Sequence, residues 1–216
     1  MANDALTSRR LTTEIRFRYV AEWLDPNSSI LDLGAGNGFG YELLLAKNIR
    51  ITSVDLNNER LSDIPKDPKV SVVNARIEDF LKEEIDNSSE YDAVILGELI
   101  EHIPLWRWYV FLSGIFKITN RIIITTPFEQ DQLRYLSRHI EQYRNPDINE
   151  PYIHKVFGIT PEIFKILGFN VIRMQLMKIP TIRRTGDSTI RYWLRDLILS
   201  LRRWHSKFLV IEISRL

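Results

Sequence analysis

The sequence predicts an α/β fold built on a doubly wound, mostly parallel sheet of seven strands. Short apolar runs alternate with helical patterns along the chain, and strands separated by helices are typical of a parallel sheet that is covered on both faces. A glycine-rich turn follows the first apolar run, and an aspartate closes the second. In such sheets ligands bind at the carboxyl ends of the strands, so these two features indicate a candidate site at that edge.

Each element is predicted from its own pattern. A helix over 15–24 ends before an Asp-Pro pair, because the residue that precedes a proline disfavours the helical conformation. The predicted strands are 29–33, 50–55, 69–74, 93–97, 121–126, 170–176 and 208–214. The predicted helices between them are 41–47, 59–63, 77–84, 106–117 and 161–167.

The length of 216 residues suits one domain over 1–216, with a basic amphipathic helix over 178–207 inserted before the last strand. Apolar positions in that segment recur at helical spacing. One interpretation is that this stripe packs on the sheet or on a second subunit, which would make a homodimer. The other is that the helix covers the substrate or contacts a membrane surface, since basic residues and tryptophans occur together.

Charge and composition exclude several classes of function. The formal net charge is +1, so no global field recruits nucleic acid. The chain has no cysteine, which excludes disulfides and thiolate metal sites and fits a reducing, cytoplasmic location. Neither a signal peptide nor an apolar run of about 18 residues is present. The four histidines are scattered, so no metal site is predicted.

The turn after the first strand contains Gly34, Gly36 and Gly38. Without a Cβ these residues let the backbone turn sharply and approach a ligand closely. The helix that follows directs free N–H groups at such a ligand. Asp55 lies 17 residues after Gly38, where an acidic side chain can accept both hydroxyls of a ribose. Together these features predict a site for a nucleoside-type cofactor.

Two kinds of cofactor compete for this site. A dinucleotide site prefers G-x-G-x-x-G, whereas residues 34–38 read G-x-G-x-G and Asp32 lies inside the preceding strand. The pattern LDLGAGNG at 31–38 resembles motif I of the class I S-adenosylmethionine-dependent methyltransferases. The alternatives are an enzyme that binds NAD or a nucleotide sugar, and a noncatalytic partner subunit with a methyltransferase fold.

Further segments, from about residue 15 to 176, resemble the small-molecule and glycan methyltransferases of this family. Arg18-Tyr19 resembles a helix that precedes motif I, and Asn74-Ala75 resembles a motif usually written Asp-Ala. Residues 91–102 resemble the fourth motif, with its Glu-His ending. The resemblance implies a Rossmann-like methyltransferase fold with an antiparallel last strand. It also implies that S-adenosylmethionine is held by Arg18, Asp32, Gly34, Ala35, Gly36, Gly38, Asp55, Leu56, Asn74, Ala75, Gly97 and Glu98.

The reaction that the resemblance implies is methyl transfer to a hydroxyl or amine of a small molecule or glycan. The enzyme mainly aligns donor and acceptor, and a base is needed only if the acceptor must lose a proton. Glu98 and His154 are the catalytic residues we select, ahead of His102 and Glu129. Glu101 is interpreted as a charge at a helix start that the helix dipole favours.

Overall fold

The computed structural model of the chain describes residues 2–127, 156, 159–178 and 206–215. Its strands are β1 (Ser29–Leu33), β2 (Arg50–Asp55), β3 (Val70–Asn74), β4 (Ala93–Gly97), β5 (Ile122–Pro127), β6 (Phe169–Lys178) and β7 (Ser206–Arg215). They form one sheet in the order β3-β2-β1-β4-β5-β7-β6. Neighbours among β1 to β5 are parallel, and β7 is antiparallel to both β5 and β6. The predicted doubly wound sheet and its antiparallel last strand are confirmed.

The helices alternate with the strands, as predicted. They are α1 (Ala2–Trp23), α2 (Tyr41–Leu45), α3 (Asn58–Leu61), α4 (Ile77–Asp86), α5 (Leu105–Ile115) and α6 (Pro161–Ile166), with a short 3₁₀ helix at Ile100–His102. The start of α1 differs most from the prediction, which began at residue 15. The first half of α1 is rich in polar residues, so it has no apolar stripe from which helical periodicity could be recognised.

The strand bounds follow the apolar runs where both neighbours are parallel. The predicted bounds of β1, β2 and β4 are those of the structure. In contrast, β6 and β7 extend beyond their predicted ends, and their pairing runs from Phe169 opposite Arg215 to Lys178 opposite Ser206. Each of these antiparallel strands supplies the hydrogen-bond partners of the other, so pairing continues into polar residues.

Two apolar layers cover the sheet, one on each face. In β1 the side chains of Leu31 and Leu33 belong to one layer and that of Ile30 to the other, as the alternation of a strand requires. The first layer includes Trp108 of α5, whose ring stacks on Phe164 of α6 at 5.5 Å. Helices α1 and α2 contribute to the second layer. This arrangement leaves the carboxyl edge of β1, β2, β4 and β5 for the site.

The predicted basic insertion over 178–207 starts and ends inside strands, because Lys178 closes β6 and Ser206 opens β7. Its bounds are therefore corrected, and its body, 179–205, lies outside the described residues. In the part of the chain that the structure describes, no helix has the length and apolar character needed to cross a membrane.

Candidate functional site

The glycine turn after β1 exposes its backbone to open space. Gly34, Gly36 and Gly38 have φ values of 77°, 56° and 63°, in the left-handed region. The N–H groups of Gly34 and Ala35 both donate to the carbonyl of Val54, at 2.8 and 3.1 Å, which holds the start of the turn against β2. A Cβ built on Gly36 would meet no atom within 4 Å. The middle of the turn therefore has room for a ligand to approach the main chain.

Asp55, at the end of β2, holds the middle of that turn. Its Oδ2 accepts from the N–H of Gly36 at 2.9 Å, and its Oδ1 accepts from the N–H of Asn57 at 2.8 Å. The carboxylate is half-buried and lies at the carboxyl edge, as the sequence predicted. Next to it, Leu56 is 64 % exposed, so an apolar side chain is available at the same edge.

Asp32 is buried in β1 and is bonded to the helix that follows the turn. The residue is 2 % exposed, and its Oδ2 accepts from the hydroxyl of Tyr41 at 2.8 Å. That hydroxyl lies 2.9 Å from the Oγ of Ser53. Burial raises the pKa of Asp32 to about 7, and the hydrogen bond from Tyr41 opposes this shift. The carboxylate of Asp32 is therefore occupied by Tyr41 inside the protein, and its predicted contact with the cofactor stays a prediction.

At the end of β3 the structure changes the expected role of one group. The backbone N–H of Ala75, which the sequence interpretation assigned to the cofactor, donates to the carbonyl of Asp55 at 3.2 Å. The amide nitrogen of Asn74 donates to the carbonyls of Asp55 and Leu56, at 3.0 and 2.9 Å. With Nδ2 so used, Oδ1 is the atom of Asn74 that can accept from a ligand.

Among the described residues, Arg16 reaches this edge with its guanidinium, whereas Arg18 is exposed on α1. Residues two apart on a helix face different directions, so Arg16 and Arg18 do not share a face of α1. Arg16 is 5 % exposed, and its guanidinium lies 3.1 Å from the carboxylate of Glu98. It also donates to the Oγ1 of Thr125 at 3.4 Å. A helical-spacing signal existed, because Arg16 precedes the buried Val20 by four residues.

Glu98 follows Gly97 directly after β4, in a left-handed conformation with a φ of 53°. Its N–H donates to the carbonyl of Thr125 at 2.8 Å. Its side chain is 39 % exposed and is held by the ion pair with Arg16. Glu98 thus faces the site from β4 as predicted, with a carboxylate that solvent can reach.

Glu101 lies in the first turn of the short 3₁₀ helix, as interpreted from the sequence, and it is buried there. The residue is 0 % exposed, and its Oε2 accepts from the hydroxyl of Thr126 at 3.2 Å. Burial, followed by the negative charge of Glu98, raises the pKa of Glu101 to about 8. The carbonyl of Glu101 accepts from the N–H of Val156 at 3.1 Å, so the chain returns to this edge two residues after His154.

Of the other predicted base candidates, His102 ends the 3₁₀ helix and is partly buried. His154 and Glu129 lie outside the described residues. Within the described ranges, no group of three or more histidine, aspartate or glutamate side chains could hold a metal ion.

The edge fits a nucleoside cofactor that also carries an amino-acid group. Open space beside Gly36 admits such a ligand to the main chain, and the Asp55 carboxylate is suited to a pair of hydroxyls. Beyond the turn, the carboxylate of Glu98 and the guanidinium of Arg16 can pair with an ammonium and a carboxylate respectively. The polar and charged side chains along the edge therefore match the hydroxyls at one end of such a molecule and the amino-acid group at the other.

Residues 7–156, more than half of the chain, match the family model described as a methyltransferase domain. Among curated proteins, none matches the chain by sequence.

Several solved structures share the fold across nearly the whole chain. An S-adenosylmethionine-dependent methyltransferase from Archaeoglobus fulgidus is 21 % identical with a TM-score of 0.64, over 97 % of this chain and 96 % of that one. A cyclopropane-fatty-acyl-phospholipid synthase-like protein from Lactobacillus casei is 15 % identical with a TM-score of 0.68, over 99 % and 94 %. Magnesium protoporphyrin IX methyltransferase from Synechocystis, with bound S-adenosylhomocysteine, is 14 % identical with a TM-score of 0.58, over 97 % and 84 %.

Proposed function

This chain belongs to the family of methyltransferase domains, and on that premise we propose that it transfers a methyl group from S-adenosylmethionine to a hydroxyl or amine of a small molecule or glycan. The family predicted from the sequence, a class I S-adenosylmethionine-dependent methyltransferase, is confirmed by the match over residues 7–156. The residues that contact the cofactor and the class of acceptor are what we propose.

The observation that carries the proposal is the hydrogen bond from the N–H of Gly36 to the carboxylate of Asp55, in a turn that is open to a ligand. Asp55 binds the ribose hydroxyls, because its carboxylate ends β2 beside the main chain of the turn. The turn itself, Gly34 to Gly38, faces the amino-acid part of the cofactor. Leu56 covers the adenine ring, and Oδ1 of Asn74 accepts from the adenine amino group.

At the other end of the cofactor, Arg16 replaces Arg18 in our assignment. Its guanidinium is already held at the edge by Glu98 and Thr125, so little side-chain entropy is lost when it binds a carboxylate. Gly97 and Glu98 face the ammonium group of the cofactor from the end of β4. These residues therefore orient the part of the cofactor that carries the reactive methyl group.

The cofactor supplies an electrophilic methyl group whose leaving group is a neutral thioether. The protein aligns the acceptor with that group, and such alignment can supply several kcal/mol of the barrier. Where the acceptor has to lose a proton, Glu98 and His154 are the proposed bases. Glu98 has the exposure needed to touch an acceptor, and Val156, two residues after His154 in the sequence, is bonded to Glu101.

Calorimetric titration with S-adenosylmethionine, S-adenosylhomocysteine and NAD tests the cofactor assignment. We expect both sulfur compounds to bind and NAD not to bind. Incubation of a fractionated cell extract with methyl-labelled cofactor then identifies the acceptor by its acquired label. Binding of NAD alone would overturn the assignment, and label found only in protein or nucleic acid would overturn the acceptor class.

A further inference from the structure

One cation and two carboxylates meet where β4 and β5 end. Arg16 reaches this point from α1, and Glu98 and Glu101 reach it from the segment that follows β4. The guanidinium lies 3.1 Å from the carboxylate of Glu98, while Glu101 is fully buried and interacts electrostatically with both groups. Arg16 and Glu98 neutralise each other, so among these three groups a second ionised carboxylate would have no matching cation.

Glu101 has the environment of a neutral acid. The hydroxyl of Thr126 reaches its Oε2 at 3.2 Å, and within the described ranges no donor reaches its Oε1. An ionised carboxylate with one oxygen unpaired and no solvent access would pay a large desolvation cost. The raised pKa of Glu101, about 8, agrees with this geometry, so the group carries a proton at neutral pH.

We propose that Glu101 is the proton store of the methyl transfer: it loses its proton when the sulfonium form of the cofactor binds, and it takes up the proton that the acceptor loses. The inference rests on the proposed function. Glu98 is the group that meets the acceptor, and the proton passes from Glu98 to Glu101, three residues further along the chain.

The charge balance of the site supports this role. With Glu101 neutral, the cluster of Arg16, Glu98 and Glu101 has no net charge. S-adenosylmethionine adds the positive charge of the sulfonium, which favours ionisation of the neutral Glu101. S-adenosylhomocysteine lacks that charge. The number of protons released on binding should therefore differ between the two compounds, although the same residues hold them.

The reaction balances in atoms and charge. The bond between sulfur and the methyl carbon breaks, a bond from that carbon to the acceptor oxygen or nitrogen forms, and the O–H or N–H bond breaks. The proton ends on the carboxylate of Glu101, so a cation and an anion become a neutral thioether and a neutral acid. No further reagent is needed.

In the described part of the chain, the charged groups that face Glu101 are Glu98 from the segment after β4 and Arg16 from α1; Thr126 of β5 contributes an uncharged hydroxyl. Glu98 raises the pKa of Glu101, whereas Arg16 and Thr126 lower it. Asp32, in β1, is the other buried acid with a raised pKa, so it is the necessary comparison.

Calorimetry in buffers of different ionisation enthalpy counts the protons released on binding, and it needs no acceptor. Near pH 7 the wild-type protein should release close to one proton more with S-adenosylmethionine than with S-adenosylhomocysteine. The difference should disappear well above pH 8, where Glu101 of the free protein is already ionised. The variant Glu101→Gln should abolish the difference near pH 7, while Asp32→Asn and the exposed control Glu78→Gln should retain it.

Each other outcome has a distinct meaning. If neither compound binds, the proposed function fails. If both bind with equal proton counts, the proposed function stands and the proton store is overturned. Loss of the difference in Asp32→Asn but not in Glu101→Gln would move the proton to Asp32 and also overturn the inference.

A second variant covers the case in which Glu101→Gln does not fold. Thr126→Val removes a hydroxyl that lowers the pKa of Glu101, so the pH at which the difference disappears should rise. An unchanged pH in a folded Thr126→Val protein would contradict the inference.

Discussion

The carboxylate of Asp55 accepts a hydrogen bond from the backbone N–H of Gly36 across 2.9 Å. The bond joins the ends of two neighbouring parallel strands, in which Val54 pairs with Leu33. The other oxygen of the Asp55 carboxylate accepts from the N–H of Asn57, so the carboxylate has a defined orientation before any ligand arrives. Preorganisation of this kind lowers the ordering cost of binding.

Substitution of Asp55 tests the ribose contact. We expect Asp55→Ala to weaken binding of S-adenosylhomocysteine by about 1.5–3 kcal/mol, the range for hydrogen bonds to charged groups. Titration calorimetry measures the change. Glu59→Ala, which removes an exposed carboxylate of the neighbouring helix α3, should bind as the wild type does. Equal affinities for all three proteins would remove Asp55 from the site.

Valine substitutions at two glycines distinguish the loss of ligand space at the turn from backbone strain. Gly36 and Gly168 both have a left-handed φ and no atom within 4 Å of an added Cβ, but Gly168 lies between α6 and β6. Valine at either position should cost about 1–2 kcal/mol of folding free energy. Only Gly36→Val should abolish cofactor binding, because only there does the side chain occupy ligand space. Thermal melts and titrations of both variants measure these effects; normal cofactor affinity in Gly36→Val would contradict the assignment of the turn.

Arg16 and Arg18, both on α1, provide a matched pair. Arg16→Gln removes the cation that we assign to the cofactor carboxylate, and it should weaken S-adenosylhomocysteine binding by about 1.5–3 kcal/mol. Arg18→Gln alters an exposed side chain on another face of α1 and should leave affinity unchanged. Circular dichroism confirms that both variants are folded. Weaker binding in Arg18→Gln alone would return the assignment to the sequence prediction.

The buried acids predict how stability depends on pH. The pKa of Asp32 is raised from 3.8 to about 7, and that of Glu101 from 4.5 to about 8. Each folded-state pKa lies above its unfolded value, so the stabilising contribution is complete at low pH and is lost as pH rises through the folded pKa. Between its unfolded and its folded pKa, each group lowers the free energy of unfolding by up to about 1.4 kcal/mol per pH unit.

Urea unfolding of wild type, Asp32→Asn and Glu101→Gln between pH 5 and 8.5 measures this dependence. The free energy of unfolding of the wild type, minus that of the variant, should fall as the pH rises towards the folded-state pKa of the acid that the variant lacks. A constant difference between wild type and variant would show that the acid is ionised throughout the range.

Local patterns were sufficient for much of the fold. The bounds of β1, β2 and β4 were predicted because a buried parallel strand is a short apolar run between turn residues. The body of the segment after β6, in contrast, lies outside the described residues, so its packing or membrane contact stays a prediction.

By itself the sequence determined the order of strands and helices, the glycine turn and the acidic end of β2, because each depends on residues close together in the chain. Only the tertiary structure decided that Arg16 is buried at the edge of the sheet whereas Arg18 is exposed, and that Asp32 and Glu101 are buried. Arg16 and Thr125 are 109 residues apart, and their contact depends on how α1 packs against the sheet. Burial of a polar side chain likewise depends on every element around it, which local periodicity does not contain.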